Sequence, residues 1–286
     1  MSTNAINGYT TLAVWKEWKR SAGQDLAADT TDDSTINEII EGVSRYIDDE
    51  TGRTFYPRVQ SRVFDAPRGT KDDRVLWLDD DLLEVLSVTN GDDVAVSSSD
   101  YNTFPFNDYP KSWLKFKQAV STIWEVDSNG NSEGVIDVNA FWGMHRDYAI
   151  RAWSLGGTIN NASFSASDVT LAVQTGEGSG FAIDTLIKVE DEIMRITGIS
   201  TDDLTVVRGE NGSTAAAHDD DTTIYIWNVQ HDIRTAAIQI ATNFYQRRYG
   251  ENVSGVATIT AAGVVISPRD VPDTAQSIID MNVRVI

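Results

Sequence analysis

The chain of 286 residues contains no cysteine, which excludes disulfides, thiolate metal sites and cysteine nucleophiles. Histidine is scarce as well. His145, His218 and His231 stand far apart and form no HExxH or H-x-H pattern, so neither a metal site nor a histidine base is expected. No apolar run approaches the ~18 residues of a membrane span. The opening stretch MSTNAINGYTTLAVWKEWKR also lacks the apolar core of a signal peptide. Positive charge is the last shortage: 23 Lys and Arg face 43 Asp and Glu, a formal net charge of −20. Such a surface repels phosphates, so a sequence-reading DNA binder is not expected. An acidic surface suits either plain solubility or a protein past which DNA slides without sticking.

What is present is sufficient for a core. The composition is 41% hydrophobic with 8 Trp, 9 Tyr and 9 Phe, which argues against disorder. Length suggests two domains, on the usual ~150 residues each. Acidity is unevenly spread: residues 151–228 hold 4 basic and 12 acidic side chains, whereas residues 229–286 hold 5 of each.

Helical spacing dominates both ends. Leu12, Trp15 and Trp18 recur in TTLAVWKEWKRSA (10–22), with a Thr available as N-cap. In DDSTINEIIEGVSRYIDDETG, Ile36, Ile39, Ile40, Val43 and Ile47 share one face; Asp32 or Asp33 suits the start, and Gly52 suits a left-handed stop. Ile233, Ala237, Ile240, Ala241, Phe244 and Arg248 share one face of a helical stretch over 229–249, ended by Gly250. A hairpin-like piece at 257–270 precedes a last helix, with Pro272 in its first turn.

Between these ends the period becomes two. RVQSRVFD, RVLWLD, LLEVLSVTN, AVSTIWEV and GVIDVNAFWG read as strands within 58–143, parted by turns at 90–93 and 127–134. YNTFPFNDYPKSWLKFK (101–117) reads as an irregular, partly exposed loop. Residues 151–228 alternate in the β manner throughout. The expectation is an α+β host (1–150 plus 229–286), a helical bundle on a small antiparallel sheet, with an inserted all-β domain at 151–228.

Motifs for chemistry are wanting. GEGSG (176–180) lacks the GK[ST] of a phosphate loop, and Glu177 opposes phosphate, so a turn is expected. DSNGNSE has its glycine at position four instead of the sixth position of a calcium loop. The DDD runs at 79–81 and 219–221 read as solvated turn carboxylates or, alternatively, as calcium ligands at an oligomer interface. With no G-x-S-x-G elbow either, no catalytic residue, cofactor or metal is expected.

Interface candidates stand out more. Arg45, Arg53, Arg58, Arg62, Arg68, Lys71 and Arg74 follow one another on and after the second helix. They read either as surface ion pairs or as an interface to an acidic neighbour. Phe104, Phe106, Tyr109 and Trp113 in the proline-bearing loop read as interface anchors, whereas aromatics of alternating strands, such as Phe141, Trp142 and Trp153, read as core. Arg284, Val285 and Ile286 close the chain as a partner-binding arm or as a helix end folded on its own subunit.

These blocks, in this order, resemble the head–tail connector, or neck adaptor, proteins of tailed phages. DDSTINEIIEGVSRYIDDETGRTFYP is similar to that family's N-terminal signature, an Ile-rich helix with a T-G-R-x-F exit. IDVNAFWG, DIRTAAIQIATNFYQRRYG and VISPRDVPDTAQSIIDMNVRV are similar to its strand ending in a Gly-bearing turn, its Ala-rich helix and its closing helix. The match covers about 1–150 and 229–286; the 151–228 module departs from it. Within that module, VVRGENGSTAAAH resembles a β-rich segment of various phage structural proteins.

The resemblance implies a non-enzymatic virion protein. It would form a homo-oligomeric ring, typically a dodecamer, on the portal protein. It would join the capsid to a neck or tail component, and genomic double-stranded DNA would pass through its lumen. It would reside at the head–tail interface of the virion and in host cytoplasm during assembly. The alternative reading is a virion binding module whose inserted β domain recognises a glycan, a host surface or another capsid or neck protein.

Overall fold

The computed structural model describes residues 5–68, 73–249 and 271–284. Thr11 starts α1 (Leu12–Ser21), its hydroxyl accepting from the Val14 N–H at 3.3 Å. Trp15 is buried, but Trp18 from the same expected stripe is 42% exposed. Helix α2 (Asp33–Thr51) buries Ile36, Ile40, Val43 and Ile47 and stops at Gly52, whose φ of 63° is left-handed. Asp32 occupies the N-cap position without any side-chain capping bond.

Helix α3 (His231–Tyr249) packs on α2 through Ile233, Ala237, Ile240 and Ala241, and α4 (Asp273–Asn282) adds Ala275 and Ile279. Phe244, expected on the buried stripe, is 45% exposed. Gly250, the 257–270 hairpin, Lys71, Val285 and Ile286 lie outside the described residues.

The expected helical bundle on a small sheet is wrong. Among the described residues eleven strands form two antiparallel sheets, and four α-helices pack beside them. The first sheet contains β1 (Arg58–Phe64), β2 (Val75–Thr89), β3 (Tyr101–Phe104), β4 (Lys111–Phe116) and β5 (Ile136–Trp142). Its order is β1-β5-β2-β4-β3. The second contains β6 (Trp153–Thr158), β7 (Thr170–Ala172), β8 (Leu186–Val189), β9 (Glu192–Ser200), β10 (Asp203–Val207) and β11 (Thr223–Trp227). Its order is β6-β11-β8-β9-β10-β7.

The physical reason lies in where apolar faces go. The helices bury theirs on one another, with Tyr9, Phe55 and Met144 filling the gap. Each sheet has a core of its own: Leu82, Leu114, Phe116, Ile136 and Trp142 in the first, and Phe164, Ile187, Met194, Ile196 and Leu204 in the second. A sheet with a private core needs no helix across it.

Two strand assignments change for local reasons. The loop at 101–117 supplies β3 and β4, paired from Tyr101↔Phe116 to Phe104↔Trp113. AVSTIWEV forms no strand, because side chains take its backbone groups: the Ile123 carbonyl accepts from Asn90 Nδ2 at 2.8 Å and the Val120 carbonyl accepts from Arg74, while Trp124 packs on Phe116 at 4.3 Å. Asn90 Oδ1 accepts from the Glu125 N–H at 2.9 Å.

The sheets meet through a shared cluster of Leu83, Phe141, Tyr148, Leu186, Ile193 and Trp227. Tyr148 donates to Glu84 at 2.8 Å, and Lys188 lies over Phe141 and Trp153 at 5.0 and 5.2 Å. A second tie comes from the RGENGS loop. Asn211 exchanges side-chain amide bonds with Asn7 at 2.8 and 3.0 Å and donates to the Pro57 carbonyl at 2.9 Å. Gly212, with φ of 82°, brings its backbone so close to β1 that a Cβ would overlap the Val59 carbonyl oxygen. Gly212→Ala is therefore expected to destabilise the protein by about 1–3 kcal/mol, read as a lower urea midpoint with an unchanged m-value.

Candidate functional site

The segment DDETGRTFYP gathers the residues that the sequence singled out. Tyr9 is buried beneath it, its hydroxyl donating to Asp48 and accepting from the Phe55 N–H at 2.7 Å. Ser44 Oγ accepts from the Tyr9 N–H at 2.9 Å, so Tyr9 is tied to α2 twice. Arg45 pairs with Asp48 at 3.1 Å and covers the rings of Tyr9 and Tyr56 at 5.8 and 4.9 Å. Burial pushes the Asp48 carboxyl up to about 6, against the pull of the Tyr9 hydrogen bond and of Arg45. Burial, with Asp48 adding to it, likewise holds the Tyr9 hydroxyl well above its ordinary value.

Below Gly52 the arginines meet the DDD run of β2. Arg53 pairs with Asp81 at 2.8 Å, and Arg58 with Asp80. Arg62 reaches Asp79 and Asp80 at 2.6 and 2.9 Å, and Arg284 reaches Asp80 at 3.4 Å. Asp80 and Asp81 are buried in a strand, so the reading of 79–81 as a solvated turn fails there. These carboxylates are taken by guanidinium groups of the same chain. Burial pushes the Asp81 carboxyl up, opposed by Arg53 and Arg284. Of the other basic candidates, Arg74 donates to the carbonyls of Lys117, at 3.1 Å, and Val120. Arg68 is exposed.

Backbone bonds draw distant blocks into the same joint. Gly143 N–H donates to the Asp81 carbonyl at 2.8 Å, Met144 N–H to Thr54 at 2.7 Å, and Arg284 N–H to Thr51 at 2.8 Å. A Cβ at Gly143 would overlap the Tyr56 carbonyl oxygen. The glycine of the FWG turn is required there by close approach.

The aromatic candidates divide. Phe104 stacks on Trp113 with centroids 4.0 Å apart and planes 2° from parallel, and Phe106 lies 4.1 Å from Phe104. Trp77 of β2 extends the row at 5.5 Å from Trp113. Trp77 is 67% exposed and Phe106 60%, so an aromatic strip crosses β2, β4 and β3 in contact with solvent. Trp77 departs from the expectation that strand aromatics are core. The signal was available: in VLWLD, Leu76 and Leu78 face inward, which turns residue 77 outward. Tyr109 stands apart from the strip, packed on Tyr148 at 5.2 Å beside the junction of the two sheets.

In the module, the VVRGENGSTAAAH segment wraps a buried carboxylate. Glu192 receives Arg208 at 2.7 and 2.8 Å, His218 Nε2 at 2.8 Å, and the N–H groups of Gly209 and Ala216 at 3.1 and 3.0 Å. Burial pushes the Glu192 carboxyl up, but these hydrogen bonds outweigh it and hold the group below the usual carboxylate range. The other His218 nitrogen lies 2.7 Å from Glu190. Glycine-rich 176–180 is a turn whose N–H groups, at Gly176 and Gly178, donate to Asp202 at 3.0 Å. Among the described residues no group of three or more His, Asp or Glu is arranged to hold a metal ion, and no helix is long and apolar enough to cross a membrane.

No protein-family model matches this chain, and no curated protein matches its sequence.

The raised Asp48 value has a sign that can be measured. A folded-state value of about 6 against an ordinary 3.8 means that the protonated group favours the fold. Its contribution is complete below the ordinary value and is lost as the pH rises through about 6. Asp48→Asn, which keeps an acceptor for Tyr9, removes this dependence. Relative to the variant, the wild type is expected to lose on the order of 2 kcal/mol between pH 4 and pH 7, measured as urea midpoints across that range.

Proposed function

We propose that this protein is a non-enzymatic structural adaptor that assembles into a ring on a portal and offers a docking surface to the next neck or tail component. The observation that carries a binding role is the solvent-facing row of Trp77, Trp113, Phe104 and Phe106. Large aromatics held rigid by mutual stacking on a sheet are suited to anchor a partner, since little side-chain freedom remains to be lost. Two of them are more than half exposed, although the chain has buried aromatic positions in every core cluster.

The choice of partner is supported by the resemblance to head–tail connectors. Several blocks that carry it touch one joint: the T-G-R-x-F exit, the FWG turn and the chain's closing helix end at Arg284. The arginines there are engaged with aspartates of the same chain, which supports a structural role for Arg53, Arg58 and Arg284. The net charge of −20 favours passage of DNA without capture.

Mass measurement of the protein alone and mixed with portal protein tests the proposal. The mixture is expected to contain a ring-sized multiple of the 31.5 kDa chain bound to portal. A chain that stays monomeric and ignores the portal overturns it. Trp77→Ala combined with Phe106→Ala is expected to weaken the docking of the next component by about 30-fold or more, the scale of a hot spot of ~2 kcal/mol. Both side chains are mostly in solvent, so the urea midpoint should move little.

A further inference from the structure

A cavity of about 160 Å³ lies where the start of α1, the first turn of α3 and the ends of β8 and β11 come together. Its apolar walls are Val14, Leu186, Ile226 and Val229. Arg234, one turn into α3, also lines it. That guanidinium is half-buried, and no hydrogen bond or ion pair engages it within the described chain. This is unusual in a protein of charge −20, in which Arg45, Arg53, Arg58, Arg62, Arg208 and Arg284 all have carboxylate partners. Trp227 belongs to the same wall, and its buried indole N–H has no acceptor among the described residues.

We propose that this cavity is a binding site for a carboxylate on a short alkyl stem, with Arg234 as its cation. A half-buried guanidinium without a counter-ion is costly, and a carboxylate fits its two parallel N–H donors. Burial without any compensating acid lowers the Arg234 value, in keeping with a cation that lacks a partner. The apolar walls suit methylene groups, not a fully hydrated ion. The Asp184 carboxylate lies in the same lining and disfavours a dianion such as phosphate. The ligand class is thus a monocarboxylate with an apolar stem. It is supplied either by a small free acid or by a glutamate side chain of another polypeptide.

The test is an NMR titration of the intact protein, following the Arg234 Nε–Hε resonance. Sodium butyrate is expected to give a saturable shift, whereas sodium chloride and phosphate at matched ionic strength bind at least about tenfold more weakly. An acetylated, amidated Ala-Glu-Ala peptide and its Gln counterpart separate the two sources. Butyrate alone binding means a free acid; the Glu peptide binding in preference to the Gln peptide means a side chain. Arg234→Lys keeps the charge and removes the fork, and is expected to weaken butyrate about tenfold, read on the neighbouring Trp227 Nε1–H resonance. The proposal is overturned if neither butyrate nor the Glu peptide gives a saturable shift. Equal binding of chloride or phosphate, or undiminished binding by a folded Arg234→Lys protein, also overturns it. Should that variant not fold, the wild-type titrations decide alone.

Discussion

The molecule turns on one buried hydroxyl. Tyr9 is fully enclosed, and its oxygen has two partners: it donates to Asp48 and accepts from the Phe55 N–H. An unmet demand at that depth costs about 1–3 kcal/mol for each group. The last turn of α2, the T-G-R-x-F exit and the N-terminal segment are therefore held in one arrangement. Everything downstream inherits that geometry. Phe55 enters the helical core, Arg53 reaches Asp81, and the chain leaves through Pro57 in the direction of β1.

The same logic repeats in the second sheet with a charge in place of a hydroxyl. Glu192 is 2% exposed and is acceptable there because Arg208, His218 and two backbone N–H groups meet it. The loop that supplies Arg208 and Gly209 continues into Asn211 and Gly212, which lie against Asn7, Pro57 and Val59. A network internal to one sheet thereby sets the surface that meets the other. The RGENGS segment closes its own carboxylate site with one part and docks with the next.

A division of labour between polar and apolar groups follows. Charged candidates near the joint are consumed within the chain, in pairs that fix geometry. The aromatic strip is left over for contact with something else. Arg234 differs from the arginines of the joint: among the described residues no carboxylate engages it, and burial lowers its value.

How much of this was legible depended on the range of the interaction. Local rules read well: Thr11 and Gly52 bound α1 and α2 as their chemistry requires, and period-two stretches became strands where their backbone partners were free. AVSTIWEV shows the limit, since its alternation is that of a strand, yet Asn90, Phe116 and Arg74 claim it from elsewhere in the chain. The DDD run at 79–81 has turn chemistry by composition, but arginines 17 to 28 positions before it and the distant Arg284 keep it extended inside β2.

The sequence by itself determined the helices, the β character of 151–228, the glycine stop and the residues able to form ion pairs, because each follows from neighbours a few positions apart. Only the tertiary structure decided that the helices pack on each other beside two sheets with private cores. It alone decided that Trp77 stacks in one row with Trp113, Phe104 and Phe106, and that Arg234 has no carboxylate partner among the described residues. The reason is physical: burial and pairing are set by which surfaces meet in space, and no local period encodes that meeting.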